Sequence, residues 1–147
     1  MWDGGRHGKI VSLDETKATW DSRVTLDYRN GTRTYADSKS DGKANTDKIM
    51  SRSDSDYFPA FTWCRAKGSS WYLPSLNELK IIYNNKSVLN ATLQKYGTTF
   101  LNGSYWSSTE YVDYNPEICA WGVDVDSGLT GNDLKSLNYF VRAVSAF

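Results

Sequence analysis

Trp71-Tyr72-Leu73-Pro74-Ser75-Leu76-Asn77-Glu78-Leu79 is the stretch around which the chain organises. Ser75 and Glu78 have the spacing of a capping box, in which the serine oxygen and the glutamate carboxylate each take a helix-end N–H. Leu76, Leu79 and Tyr83 then recur at helical spacing, with Ile82 on the same face. A helix therefore starts at Ser75 and is interrupted at Asn84-Asn85, with Leu73-Pro74 leading the chain into it. Upstream, Pro59 suits a first helical position and Gly68 a stop, so a helix lies between them with Phe61, Cys64 and Ala66 facing inward. Downstream, a short helix runs from about Val88 to Tyr96 and ends at Gly97.

Further out the pattern turns to strands. Lys9–Leu13 is one, and Ser104–Ser108, Ala120–Val125 and Phe140–Val144 are three more. With β-type segments at both ends, the first strand is expected to pair with the last. The order strand, helices, strands predicts an α+β fold, with two to three helices packed on a small, mostly antiparallel sheet. Residues Asp21–Ser55 are rich in Asp, Ser, Lys, Gly, Asn and Thr and read as a long surface loop with a short strand at Val24–Tyr28. The 147 residues suit a single domain. Met1-Trp2-Asp3 opens no secretory signal, and the chain reads as one domain of a longer protein.

Charge and composition exclude several functions. Formal net charge is zero, yet residues 101–147 carry 2 Lys/Arg against 6 Asp/Glu. A binding face in that third repels polyanions, which argues against DNA, RNA and sulfated glycans. No apolar run approaches the ~20 residues of a membrane span, so no membrane insertion is expected. One histidine and two cysteines without a CxxC pair do not make a zinc site, and no cofactor motif is present. Cys64 and Cys119 can pair or remain free thiols. His7, between Gly5-Arg6 and Gly8, reads as part of an exposed turn.

Two kinds of chemistry remain. Asp124 and Asp126 stand at i and i+2 of a presumed strand, with Asp113 and Glu117 nearby. Carboxylates so placed suit acid–base work or a hard cation, or simply a solvated strand face. The second kind is recognition. Tyr111, Tyr114 and Tyr139 lie among Asn115, Ser127, Thr130, Asn132, Ser136 and Asn138. Tyrosine supplies rigid contact area and Asn and Ser supply adaptable hydrogen bonds, the mixture of a paratope. The same composition also suits a surface loop with incidental tyrosines.

The Trp71–Leu79 stretch, with Tyr105-Trp106-Ser107-Ser108-Thr109 and Val141-Arg142-Ala143-Val144, resembles the ordered motifs of a bacterial domain family with the C-type-lectin-like fold. Gly8–Leu13 and Phe58–Cys64 fit the same pattern, so the resemblance spans nearly the whole chain. The matching residues read as scaffold, with Arg142 inside an apolar strand needing a partner such as Glu78 or Glu110. The resemblance implies a non-catalytic ligand-binding domain, found in adhesins, at pilus or collagen-like tips, and on phage or cell surfaces. Some similar domains are rewritten by diversity-generating retroelements between the two later motifs, here Tyr111–Tyr139. Every residue of that interval except Glu117, Trp121 and Lys135 is reachable by mutating adenines of an asparagine codon. Calcium-lectin motifs are absent, so no metal is implied.

On this reading a surface between residues 105 and 139 meets a protein or glycan on another cell or particle. Its contacts are Tyr111, Asp113, Tyr114 and Asn115 in one loop and the outward positions Gly122, Asp124 and Asp126. Ser127, Leu129, Thr130, Asn132, Asp133, Leu134, Ser136 and Asn138 supply the rest from a second loop. The competing readings are a structural tip or assembly domain, oligomeric through these loops, and a glycan hydrolase using Asp124, Asp126 and Glu117.

Overall fold

The computed structural model describes residues 7–27, 29–99 and 101–147. Strands β1 (Lys9–Val11) and β2 (Thr16–Ala18) come first, then helix α1 (Gly42–Met50), a 3-10 turn at Ser55–Tyr57, and helix α2 (Pro59–Arg65). Strand β3 (Trp71–Tyr72) leads into α3 (Leu76–Asn84) and α4 (Lys86–Lys95). The last third is β4 (Ser104–Glu110), β5 (Cys119–Asp124), β6 (Thr130–Leu134), β7 (Tyr139–Val141) and β8 (Val144–Ala146). The strands form two sheets, ordered β1-β8-β3 and β2-β7-β4-β5-β6. All pairings are antiparallel except β4 with β7. The fold is α+β and the first strand pairs with the last, Lys9 opposite Ala146, as expected.

Among the described residues the α-helices number four and the strands fall into two mostly antiparallel sheets. Several expectations are corrected. The Phe140–Val144 strand divides at Arg142-Ala143, so that β7 serves one sheet and β8 the other. The stretch Asp21–Ser55 is not one surface loop: the described residues of 21–41 form no helix or strand, but α1 occupies Gly42–Met50 and several residues of the stretch are buried. Asp41 caps α1 by accepting from the Ala44 N–H at 2.9 Å, and Thr34, Ala36, Asn45, Thr46 and Ile49 are buried. Residues 24–27 form no strand, and Tyr28 lies outside the described residues. Ala66 is exposed at the end of α2, while Phe61 and Cys64 do face inward. Both cysteines are free thiols.

The capping box forms as read, and it does more than cap. The Glu78 carboxylate accepts from the Ser75 N–H (2.8 Å), the Gly42 N–H (3.2 Å), the Tyr72 hydroxyl (3.1 Å) and the Lys9 ammonium. One side chain thus joins the starts of α1, α3 and β1. Gly42 permits the approach, because a Cβ there would lie 2.5 Å from that carboxylate. Arg142 is buried, but its partner is Glu15, at 2.9 Å, not Glu78 or Glu110. It also donates to the carbonyls of Ser12, Leu13 and Thr99, and Tyr105 donates its hydroxyl to the same Glu15. This cluster takes the chain from one sheet to the other.

Glu110 pairs with Lys135 at 2.7 Å, and both side chains are 0% exposed. Lys135 donates as well to the carbonyls of Thr32, Pro116 and Glu117, and lies 4.4 Å over the Trp20 ring. Glu110 accepts from the Thr34 N–H and hydroxyl and from the Tyr35 N–H. Burial pushes the Lys135 ammonium towards its neutral form, and Glu110 beside it opposes that shift. Removing one member of such a pair leaves the other charged and dry. Lys135→Met is expected to cost about 3–5 kcal/mol, read as a lower midpoint in urea unfolding.

Acid stability has a separate marker. Hydrogen bonds from Arg52, then Arg23, hold the Asp54 carboxyl down to about 2, against the cost of burial. The ordinary value is about 3.9. A depressed carboxylate stabilises the fold above that unfolded value and loses its contribution as pH falls through the folded one. Asp54→Asn should therefore flatten the loss of stability between about pH 4 and pH 2, measured by thermal unfolding across that range.

Candidate functional site

The proposed contact interval folds onto β5 and β6, and side-chain alternation divides it between two faces. Trp121 lies opposite Asn132, and Gly122 lies opposite Gly131. Successive residues of a strand point to opposite sides. Ala120, Gly122 and Asp124 therefore share one face with Gly131 and Asp133, while Cys119, Trp121 and Val123 share the other with Thr130, Asn132 and Leu134.

The first face holds a hollow of about 210 Å³. The facing glycines Gly122 and Gly131 leave its floor bare, Ser104, Asp124, Leu129, Asp133 and Tyr139 surround it, and Val123 and Thr130, whose side chains turn to the other face, border it. Neither glycine has the positive φ that would require one. At Gly131 a Cβ would meet only Asp133 Oδ2, at 3.9 Å, so local packing does not demand the missing side chain. Tyr139 stacks on Trp106 with ring centres 4.6 Å apart. Its phenol is pushed up to about 12 by burial and by its hydrogen bond to Asp133. The ring is a fixed wall of the hollow, and the carboxylate beside it favours neutral or cationic groups over anions.

Of the expected contacts, Gly122, Asp124, Leu129, Thr130 and Asp133 gather here. Ser104, Val123, Gly131 and Tyr139 belong to the hollow without having been in that set. Tyr139 was legible as one of the loop tyrosines, but the glycine pair depends on the β5–β6 register. Leu129 is 72% exposed on the rim.

Asp124 and Asp126 do not form a pair on a strand face, because β5 ends at Asp124. Asp124 accepts from the Asp126 N–H (2.9 Å) and the Ser127 hydroxyl (2.8 Å), which shapes the hairpin turn. Asp126 accepts from Lys86 (2.8 Å) and from the Gly103 N–H (3.0 Å). Gly128 has φ +79°, and a Cβ there would strike the Tyr83 ring at 2.5 Å. The turn is thus clamped to α3 and α4, with the Ser127 carbonyl accepting from Tyr83.

The remaining expected contacts spread over the second face and its loops. Tyr111 packs edge-on against Trp121, ring centres 4.9 Å apart, and Lys39 lies 5.6 Å over the Trp121 ring. Asp113, Tyr114 and Asn115 are exposed, Tyr114 at 71%. Asn115 adopts a left-handed turn (φ 48°), and its carbonyl accepts from the Ile118 and Cys119 N–H groups. Asn132 and Asn138 are exposed and Leu134 is half-buried. Ser136 turns its hydroxyl oxygen inward, where it is buried without a hydrogen-bond partner. His7 is exposed ahead of β1, remote in sequence from the hollow. Among the described residues, no three His, Cys, Asp or Glu side chains converge on one point, and no helix is long and apolar enough to cross a membrane.

No curated relative matches the chain. Residues 9–145 match the family described as the Lcl C-terminal domain, whose fold is C-type-lectin-like. That match and the α+β architecture with paired first and last strands agree: the chain belongs to the Lcl C-terminal domain family.

Proposed function

We propose that this is a ligand-presenting domain of adhesin or receptor-binding type, which captures a protein or glycan at the β5–β6 hollow without chemical turnover. The observation that carries the reading is the cross-strand pair of Gly122 and Gly131, which keeps a hollow open beside the edge of the five-stranded sheet although Gly131 has room for a side chain. A concave site where polar groups converge is a candidate binding site, and here Asp124, Asp133 and Tyr139 stand around two bare glycines. Exposed Leu129 and Thr130 on its rim extend the contact surface.

The carboxylates support binding over hydrolysis. Asp124 and Asp126 are occupied in shaping the turn, and Glu117 lies in a different, exposed loop. The polar, exposed positions of Tyr111–Tyr139 suit a surface that tolerates rewriting, as in retroelement-diversified proteins. Such a domain works at the surface of a bacterium or on a phage particle. A genomic neighbourhood holding a reverse transcriptase and a near-copy of the coding segment, differing at template adenines, is the expected signature of that history.

Gly131→Val supplies the direct test. A β-branched residue suits a strand, and it fills the hollow from its floor. The domain is first screened on glycan and surface-protein arrays to obtain a ligand. The variant should keep the wild-type thermal midpoint within a few degrees and lose at least tenfold in affinity. Undiminished affinity in a folded Gly131→Val protein would place the ligand elsewhere and sink the reading.

A further inference from the structure

Strand β6 ends the order β2-β7-β4-β5-β6, so β5 flanks it on one side and, among the described residues, no strand flanks it on the other. The hydrogen-bond phase fixes which groups the open side offers. Asp124 N–H donates to the Leu129 carbonyl (2.9 Å) and Lys135 N–H donates to that of Ile118 (2.8 Å). In an antiparallel ladder these bonded positions alternate. The backbone groups of Gly131 and Asp133 therefore face β5, and those of Thr130, Asn132 and Leu134 face outward. Thr130 and Asn132 are exposed, and of the outward carbonyls that of Leu134 accepts from Leu137 within its own turn. Edges of this kind are usually blunted by short length, by charged side chains (lysine above all), by proline or by a bulge, and here Asp133 is the one charge. Thr130-Gly131-Asn132-Asp133-Leu134 has neither lysine nor proline, and its register with β5 is unbroken.

We propose that the open edge of β6 pairs with β6 of a second copy of this chain, antiparallel and centred on Asn132, to join the two five-stranded sheets into one. This inference is independent of what the hollow binds. Its occupant is chosen by self-complementarity. Centring on Asn132 sets the two Asn132 residues opposite each other and Thr130 opposite Leu134. Asp133, the one charge of the strand, then faces Gly131 of the second copy. A register centred on Asp133 would oppose two carboxylates, which is destabilising. One centred on Gly131 would leave Leu134 opposite the Gly128 turn, outside the strand. The register that preserves the ladder is thus the one without like-charge contact. The two-fold relation makes the contact isologous and closed, and it brings both hollows to one face of the continuous sheet.

An interface built on one short edge falls below the ~1,200 Å² of stable complexes, so the dimer is weak and depends on concentration. Sedimentation equilibrium of the full chain from about 10 µM to about 1 mM should give an average mass rising towards twice the protomer. Asn132→Pro removes an outward N–H and no bond to β5. Asn132→Lys sets two like charges at the two-fold axis and leaves the backbone free, so it decides the matter should the proline variant fail to fold. Circular dichroism checks folding, and each folded variant should self-associate at least tenfold more weakly. A wild-type chain that stays monomeric at about 1 mM, or a folded Asn132→Lys protein that associates as the wild type does, overturns the proposal.

Discussion

An ammonium and a carboxylate removed from water cost several kcal/mol each, and a fold that buries them must return that in hydrogen bonds and mutual attraction. Lys135 and Glu110 meet this condition by drawing three irregular segments to one point. The Thr32–Tyr35 backbone, the Pro116-Glu117 carbonyls and the Lys135 segment all close on the pair. Gly31 shows how tightly they pack, since a Cβ there would lie 2.2 Å from the Glu117 carbonyl oxygen. The pair adds to backbone hydrogen bonds that tie the same connections, such as Lys135 N–H to the Ile118 carbonyl (2.8 Å) and Trp20 N–H to the Lys135 carbonyl (2.9 Å). Together these contacts anchor the buried backbone of the connections while the outward side chains are left unconstrained.

The same economy recurs across the molecule, because its strands are too short to hold themselves by ladder bonds alone. Several have three residues or fewer. Buried polar contacts replace the missing length. Ser107 bridges the irregular register of β4 by donating to the Trp121 carbonyl at 2.6 Å. Ser108 accepts from Asn45, and Thr109 donates to the Ser38 carbonyl while accepting from the Leu76 N–H. Trp20 and Trp106 each donate an indole N–H to a backbone carbonyl on another element. Polar residues in a fully buried strand would be costly unpaired. Here each fixes a neighbouring segment, which is why a Trp-Ser-Ser-Thr-Glu run can be scaffold.

Local signals were legible and long-range ones were not. The α3 capping box depends on residues three apart, so it could be read directly from Ser75 and Glu78. Helix α1 was hidden because it buries Asn45 and Thr46 beside Ile49, leaving little apolar periodicity; the Asp41 cap was its one local sign. Strand β6 was hidden because Thr-Gly-Asn-Asp-Leu alternates in no apolar pattern and lies at an edge. The need of Arg142 for a partner could be read, but the choice of Glu15 depends on how β1, β2 and β7 meet. Five of the expected contacts meet in the hollow, yet the hollow itself comes from register. Nothing in the sequence tells that Gly122 faces Gly131 until β5 and β6 are paired.

The resulting division of labour separates positions that hold the fold from positions that face outward. Glu78, Glu110, Lys135 and Arg142 belong to the first group; Tyr114, Leu129, Thr130 and Asn132 belong to the second. Exposed substitutions usually change stability by within about 0.5 kcal/mol each and add when they do not touch. The most direct test is the urea unfolding curve of one protein carrying Tyr114→Ser, Leu129→Ser, Thr130→Ala and Asn132→Ser together. A cooperative transition within about 2 kcal/mol of the wild type supports a scaffold held from beneath, with a face free to vary. A loss of several kcal/mol, or a broad transition, would show that the outward residues carry the fold and would contradict the account.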